Sequence, residues 1–260
     1  MRWGFILFLC LASSVLAGTT DDAIPDARYL DYAKGFAPYT LRLVARDPSG
    51  RLMTASAVAI APHYALTAAH VAADIASCTL ASGNKTVPVR QVWVHGEWQD
   101  TNLGVADIAI LRTGEAFGLG FYPPLCDGGE EVGEVVSIAG WGITGRLSTG
   151  HTHTDGRLRA GTNTIERFER AVIVCLAKPG SSPLEYCIAP GCSGGPLFLS
   201  GRLAGINSFT SRDAGTGKLR SSTGEESGHT RVSLYREWIL SIVGAELDAT
   251  STVAAWNKTQ

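Results

Sequence analysis

Ten short segments of alternating apolar and polar residues, closed by Gly, Pro, Asp or Ser turns, constrain this chain more than any other feature. They are TLRLVA (40–45), TASAVAIA (54–61), YALTAA (64–69), VPVRQVWVH (87–95) and DIAILR (107–112), then EVVSIAGW (134–141), RAVIVCL (170–176), GPLFL (195–199), RLAGINSF (202–209) and HTRVSL (229–234). A period of two sends successive side chains to opposite faces of a strand, so the series predicts an all-β barrel or sandwich. Two helices are expected: a short turn after His70 through VAADIA, and residues 235–247, where Trp238, Ile239, Ile242 and Val243 share one face. The strands fall into two groups divided at FYPPLCDGGEE (121–131), whose Pro pair and Gly pair mark a connection.

With 260 residues, 45% of them hydrophobic, the chain can bury a core without metals or dense disulfides. A formal charge of −2 gives no electrostatic reason to expect nucleic acid or an anionic membrane as partner. The first residues read as a signal peptide: Arg2 is the positive region, Trp3 to Ala12 the apolar run, and Val15-Leu16-Ala17 the cleavage pattern. The run is too short to span a bilayer, and no later stretch is apolar enough, so an exported, soluble product is expected, extracellular or periplasmic. Removing Cys10 with the leader leaves Cys78, Cys126, Cys175, Cys187 and Cys192, for which export makes disulfides the default expectation. Their spacing fits no zinc pattern, and no metal or other cofactor is expected. His151 and His153 in HTHTD read as a solvated loop.

Three motifs carry the chemistry, in chain order: LTAAH ending at His70, ADIAIL with Asp107, and GCSGGPL with Ser193. A serine hydroxyl becomes a useful nucleophile when a base takes its proton as it attacks. An imidazole, ordinarily titrating at about 6.5, can take that proton and return it, and a carboxylate orients the imidazole and steadies its charged form. Ser193 is therefore assigned as nucleophile, His70 as general base and acid, and Asp107 as orienting group. Glycine at 191 lets the backbone N–H groups of Gly191 and Ser193 converge on one oxygen, as an oxyanion hole requires. Gly191 to Gly195 also fits the serine elbow of esterases. That fold needs the order Ser, Asp, His, which could only be Ser193, Asp213 and His229, and alternating helices, of which this chain offers two in all.

In these motifs, in Gly140-Trp141-Gly142 and in the closing helix, the chain resembles the chymotrypsin-like (trypsin-family) serine proteases from about Phe36 to Val243. The resemblance implies two six-stranded antiparallel β-barrels with a C-terminal α-helix and the active site between the barrels. The expected organisation is a signal peptide over 1–17, read from its own residues, and an N-terminal extension over 18–35. The first barrel, with His70 and Asp107, covers 36–125; the second, with Ser193 and the helix, covers 126–247; a tail covers 248–260. The implied function is that of a secreted endopeptidase working through an acyl-enzyme. It is expected as a monomer acting on a polypeptide substrate, with a protein inhibitor as a further partner. The alternative is a catalytically silent homologue acting as a binding module.

The sequence departs from that family at Cys192, where the family has an acid that pairs with a new N-terminal amine. No family-like start follows a basic residue except weakly after Arg28, so activation by N-terminal insertion is not expected. The loop is then held by packing or by a disulfide from Cys192. Cys78 with Cys126 is the favoured first pair. By resemblance Cys175 bonds Cys187, and a Cys192 bridge is the alternative. The resemblance also carries over pocket positions: Cys187 to Pro190 as one wall, and Ser208, Phe209 and Thr210 as a wall whose backbone pairs with substrate. Cys187 replaces the acid that would favour Lys or Arg. His229 is read either as structural or as favouring an acidic side chain.

Overall fold

The computed structural model describes residues 18–211 and 220–248. The expected leader over 1–17 lies outside them, as does nearly all of the expected tail.

The chain enters through a two-residue strand β1 (Thr19–Thr20) and a helix α1 (Asp26–Tyr32). The first barrel follows: β2 (Thr40–Arg46), β3 (Leu52–Ala61), β4 (Tyr64–Thr67), the short helix α2 (Ala69–Ala72), β5 (Ser77–Ser82), β6 (Lys85–Val94) and β7 (Ala109–Thr113). After a long connection come β8 (Val135–Gly140), β9 (Thr144–Arg146), β10 (Gly150–His153), β11 (Arg159–Glu169), β12 (Val172–Leu176), β13 (Tyr186–Cys187), β14 (Pro196–Leu199), β15 (Arg202–Thr210) and β16 (Glu226–Arg231). Two helices end the described chain, α3 (Arg236–Val243) and α4 (Ala245–Asp248), broken at Gly244.

The strands close into two six-stranded antiparallel barrels, ordered β2-β3-β4-β7-β6-β5 and β11-β12-β16-β15-β14-β8. A third sheet, β10-β9-β1-β13, lies beside the second barrel. The expected all-β fold of two such barrels and a short closing helix is the one observed. Closure removes free sheet edges, and it makes small residues valuable where the barrels meet. In β3 every residue from Ala55 to Ala61 is buried, because one face fills the first barrel while the other meets the second. At that seam Ser56 Oγ accepts the N–H of Trp141 at 2.8 Å, and the Trp141 indole donates to Thr40 O at 2.9 Å.

Residues 18–35 are built into the second half of the molecule. Tyr29 is wholly buried, donates through its hydroxyl to Glu185 O at 3.0 Å, and accepts the N–H of Asp21 at the same distance. Arg159, buried on β11, makes a two-pronged pair with Asp26 at 2.7 Å through Nε and Nη2, and a second pair with Asp155. Such a fork fixes orientation as well as position, so it ties α1 to the barrel wall.

Candidate active site

Strand β4 ends at Thr67, and the single turn of α2 presents His70 to the groove between the barrels. Opposite it, Asp107 precedes β7 and follows Ala106, whose φ of 52° is unusual for a residue with a side chain. That turn is held from outside: the Ala106 N–H donates to the Tyr235 hydroxyl at 2.7 Å. One oxygen of Asp107 accepts the backbone N–H of His70 and the other its Nδ1–H, each at 2.8 Å, and Ser208 Oγ also donates to the second. Burial pushes the Asp107 pKa up. The His70 and Ser208 hydrogen bonds and the His70 charge outweigh that, so the carboxyl lies below its ordinary 3.8. The bond at Nδ1 leaves the imidazole Nε2 for the groove.

Ser193 is carried on the turn before β14. Two peptide groups there are pinned by their carbonyls. Pro190 O accepts the N–H of Ile143 at 2.7 Å, and Cys192 O accepts the N–H of Gly195 at 2.9 Å. In a planar trans peptide the C=O and N–H point in opposite directions, so drawing each carbonyl into the protein turns the N–H of Gly191 and of Ser193 outward. Among the described residues neither N–H donates to another backbone carbonyl. The turn also grips the first barrel: Ser56 N–H donates to Ser193 O at 2.8 Å and Ser56 Oγ to Gly191 O at 3.0 Å. This approach needs glycine at 194. Its φ is +82°, and a Cβ would stand 2.1 Å from Thr67 Oγ1.

Beneath Ser193 the structure corrects the expected disulfides. All five described cysteines are buried free thiols, and no disulfide joins Cys78 to Cys126, Cys175 to Cys187, or Cys192 to either. Cys78 sits on β5 in one barrel, whereas Cys126 leads into the other. Cys175 and Cys187 belong to different sheets. Cys192 points into the second-barrel core, so its side chain is not the nucleophile; Gly142 leaves it room, since a Cβ there would meet Cys192 Sγ at 2.6 Å. Burial pushes the Cys192 thiol pKa up, so the thiol stays neutral. A segment near the start of the described chain packs here as a strand: Thr19 and Thr20 pair with Cys187 and Tyr186 on one side and with Gly145 and Arg146 on the other. Gly18 donates its N–H to the Cys192 sulfur, and Thr144 Oγ1 donates to Gly18 O at 2.6 Å. Thus an uncharged thiol receives the segment, with strand pairing in place of an ion pair.

The groove is an open cleft of about 770 Å³. It holds His70, Asp107, Gly191 and Ser193, and of the expected pocket residues Pro190, Ser208, Phe209 and Thr210. Cys187 and His229 lie behind its wall. Cys187 is fully buried against Leu147 and Ala177, and His229 against Asn207 and Ser227. Burial pushes the His229 pKa down to about 3. Sequence reasoning passed over Trp98, Leu103 and Gly104, which form another wall, and Met53 and Thr54 at the first-barrel end. It also passed over Asn207, whose signal was a lone amide inside the apolar run RLAGINSF.

Two closed barrels with a serine, a histidine and a buried carboxylate meeting in the cleft between them define the class: a chymotrypsin-like two-barrel protein. The family model described as Trypsin matches residues 31–239, and the chain belongs to that family. It is 27% identical to a chymase of Mus musculus over 92% of this chain and 96% of that protein. It is 28% identical to a trypsin of Saccharopolyspora erythraea over 80% and 93%. Among solved structures, HL collagenase superposes with a TM-score of 0.66 at 21% identity, covering 88% of this chain and 99% of that one. A scabies mite inactivated protease paralogue superposes with a TM-score of 0.62 at 19% identity, covering 81% and 97%. Fold likeness alone therefore does not decide activity, and the site must.

Proposed function

We propose that the chain is a secreted serine endopeptidase that cleaves polypeptides through an acyl-enzyme. Ser193 Oγ attacks the scissile carbonyl while His70 Nε2 takes its proton. The resulting oxyanion sits between the N–H groups of Gly191 and Ser193. His70 then gives the proton to the leaving amine, and water, activated by the same imidazole, releases the acyl group. Asp107 stays ionised and holds the Nδ1–H tautomer. The observation that carries the reading is the doubly hydrogen-bonded Asp107–His70 pair at 2.8 Å in the cleft that also holds Ser193. A substrate in extended form adds a strand along 208–210, and its side chain meets Ile188 and Ala189, which favours apolar groups.

Export and removal of residues 1–17 belong to the same reading, on the strength of the apolar run 3–12 and the Val15-Leu16-Ala17 pattern. The test is digestion of a peptide library with mapping of the cut sites. Cleavage after apolar residues, lost in Ser193→Ala, is expected. Intact peptides, with the folded protein binding one of them unchanged, would favour the silent binding module.

A further inference from the structure

We propose that Asn207, oriented by His229, is the positioning residue that aims the Ser193 N–H into the cleft; the inference rests on Ser193 being the nucleophile of a protease. Asn207 is wholly buried on β15, opposite His229 of β16 in the strand register. It holds the nucleophile turn at three points. Its N–H donates to Gly195 O at 2.8 Å, its C=O accepts the N–H of Gly194 at 2.8 Å, and its Nδ2 donates to Cys192 O at 3.2 Å. Cys192 O belongs to the peptide whose N–H is that of Ser193, so pulling this oxygen inward directs that N–H outward. Glycine at 195 makes the reach feasible, since a Cβ there would stand 2.8 Å from Nδ2.

The polarity of the chain of bonds follows from what each group can do. Nδ2 faces two carbonyls, Cys192 O and Ala139 O, which only accept. Oδ1 therefore faces His229 Nδ1 at 2.9 Å, and that nitrogen must carry the proton. His229 Nε2 is then left to accept from Ser227 Oγ at 3.0 Å. Burial, which pushes the His229 pKa down to about 3, keeps the ring neutral, and its two partners hold it in this tautomer. Ser208, the next residue, donates to Asp107, so one dipeptide touches both the nucleophile turn and the carboxylate that orients His70. This supplies a polar hold on the turn where residue 192 carries no charge.

The test compares the wild-type protein with Asn207→Asp, which keeps the shape and loses both side-chain donors. The readouts are kcat and its pH profile, KM, melting temperature, and the inhibition constants of a peptide aldehyde and its alcohol, of which the aldehyde alone makes an oxyanion. Expected is a fall in kcat on the order of 10²-fold, as for loss of one oxyanion donor. KM stays within about threefold, the aldehyde's advantage over the alcohol shrinks in parallel, and the pH limbs of the residual activity do not move. A folded variant with unchanged kcat and aldehyde preference overturns the proposal, as does a loss that tracks only the unfolded fraction. If the variant does not fold, nitrogen NMR of wild-type His229 decides. The Nδ1–H form is expected, and the Nε2–H form would reverse the amide and overturn the proposal. A wild-type protein that turns over no peptide counts against the protease reading, whereas an active wild type matched by the variant counts against Asn207 alone.

Discussion

Replacing Gly18 by alanine, in protein that keeps Ala17 before it so that the φ of residue 18 is defined, tests how the nucleophile turn is supported. The residue has a φ of +57°, and an added Cβ would stand 2.2 to 2.4 Å from two ring carbons and the hydroxyl oxygen of Tyr186. Tyr186 is fully buried on β13 and has no space into which to retreat. The left-handed backbone costs roughly 1–2 kcal/mol with a side chain, and forced overpacking roughly 1–3 kcal/mol more. A loss of about 3 kcal/mol corresponds to a melting temperature lower by about 6–12 °C in a domain of this size. Gly50→Ala is the control, because its φ is +86° but nothing lies within 4 Å of the added carbon. That variant should lose only the backbone share. Relief of the clash comes most easily by moving β1 out from between β9 and β13, which frees Cys192 from its Gly18 contact. Gly18→Ala should therefore lose kcat beyond its loss of folded protein, and Gly50→Ala should not. Calorimetry paired with kcat on one peptide substrate reads both. Equal melting temperatures and equal kcat in the two variants would refute the idea that the inserted segment supports the turn.

Asp107→Asn should leave the fold intact and lower kcat by about 10⁴-fold, because an amide at that place favours the wrong imidazole tautomer; steady-state kinetics with a melting curve checks it. The folded pKa of Asp107 is lowered, so the stability it contributes is fully present above its ordinary 3.8 and is lost as pH falls through the lower folded value. Acid unfolding of wild type and Asp107→Asn should then show a stability gap that is level at neutral pH and narrows below about pH 4. The five described thiols should resist alkylation in the native protein and all react after unfolding, with no change in melting temperature on adding a reductant. Cys78, pushed up to about 12 by burial, should be among the unreactive ones.

What could be read in the sequence was what local pattern encodes. Strand 40–46 alternates and 202–210 carries a short apolar run, and the triad residues sit in short motifs whose spacing survives without knowledge of the fold. The longest strand, β11, was missed because RAGTNTIERFE reads as a polar loop. Its Thr162 and Asn163 are buried there by bonds to Ser182 Oγ and Tyr186 O, partners 20 and 23 residues away. The inserted β1 was missed for the same reason: two threonines carry no periodicity, and only β9 and β13 make them a strand. The disulfides failed because export argues for oxidation, not for proximity: Cys78 and Cys126 belong to different barrels, and Cys175 and Cys187 to different sheets. Asn207 drew no reading, and His229 was open between a structural and a pocket role. Their meaning lies in cross-strand register, which a single chain does not display.

The central claim is that Ser193 is an activated nucleophile although residue 192 carries no acid. Intact mass of the purified protein before and after a fluorophosphonate tests it most directly, with Ser193→Ala and His70→Ala as controls. The account predicts a single adduct on Ser193 in the wild-type protein and none in either control. A folded wild-type protein that stays unmodified, or carries its adduct elsewhere, would contradict it.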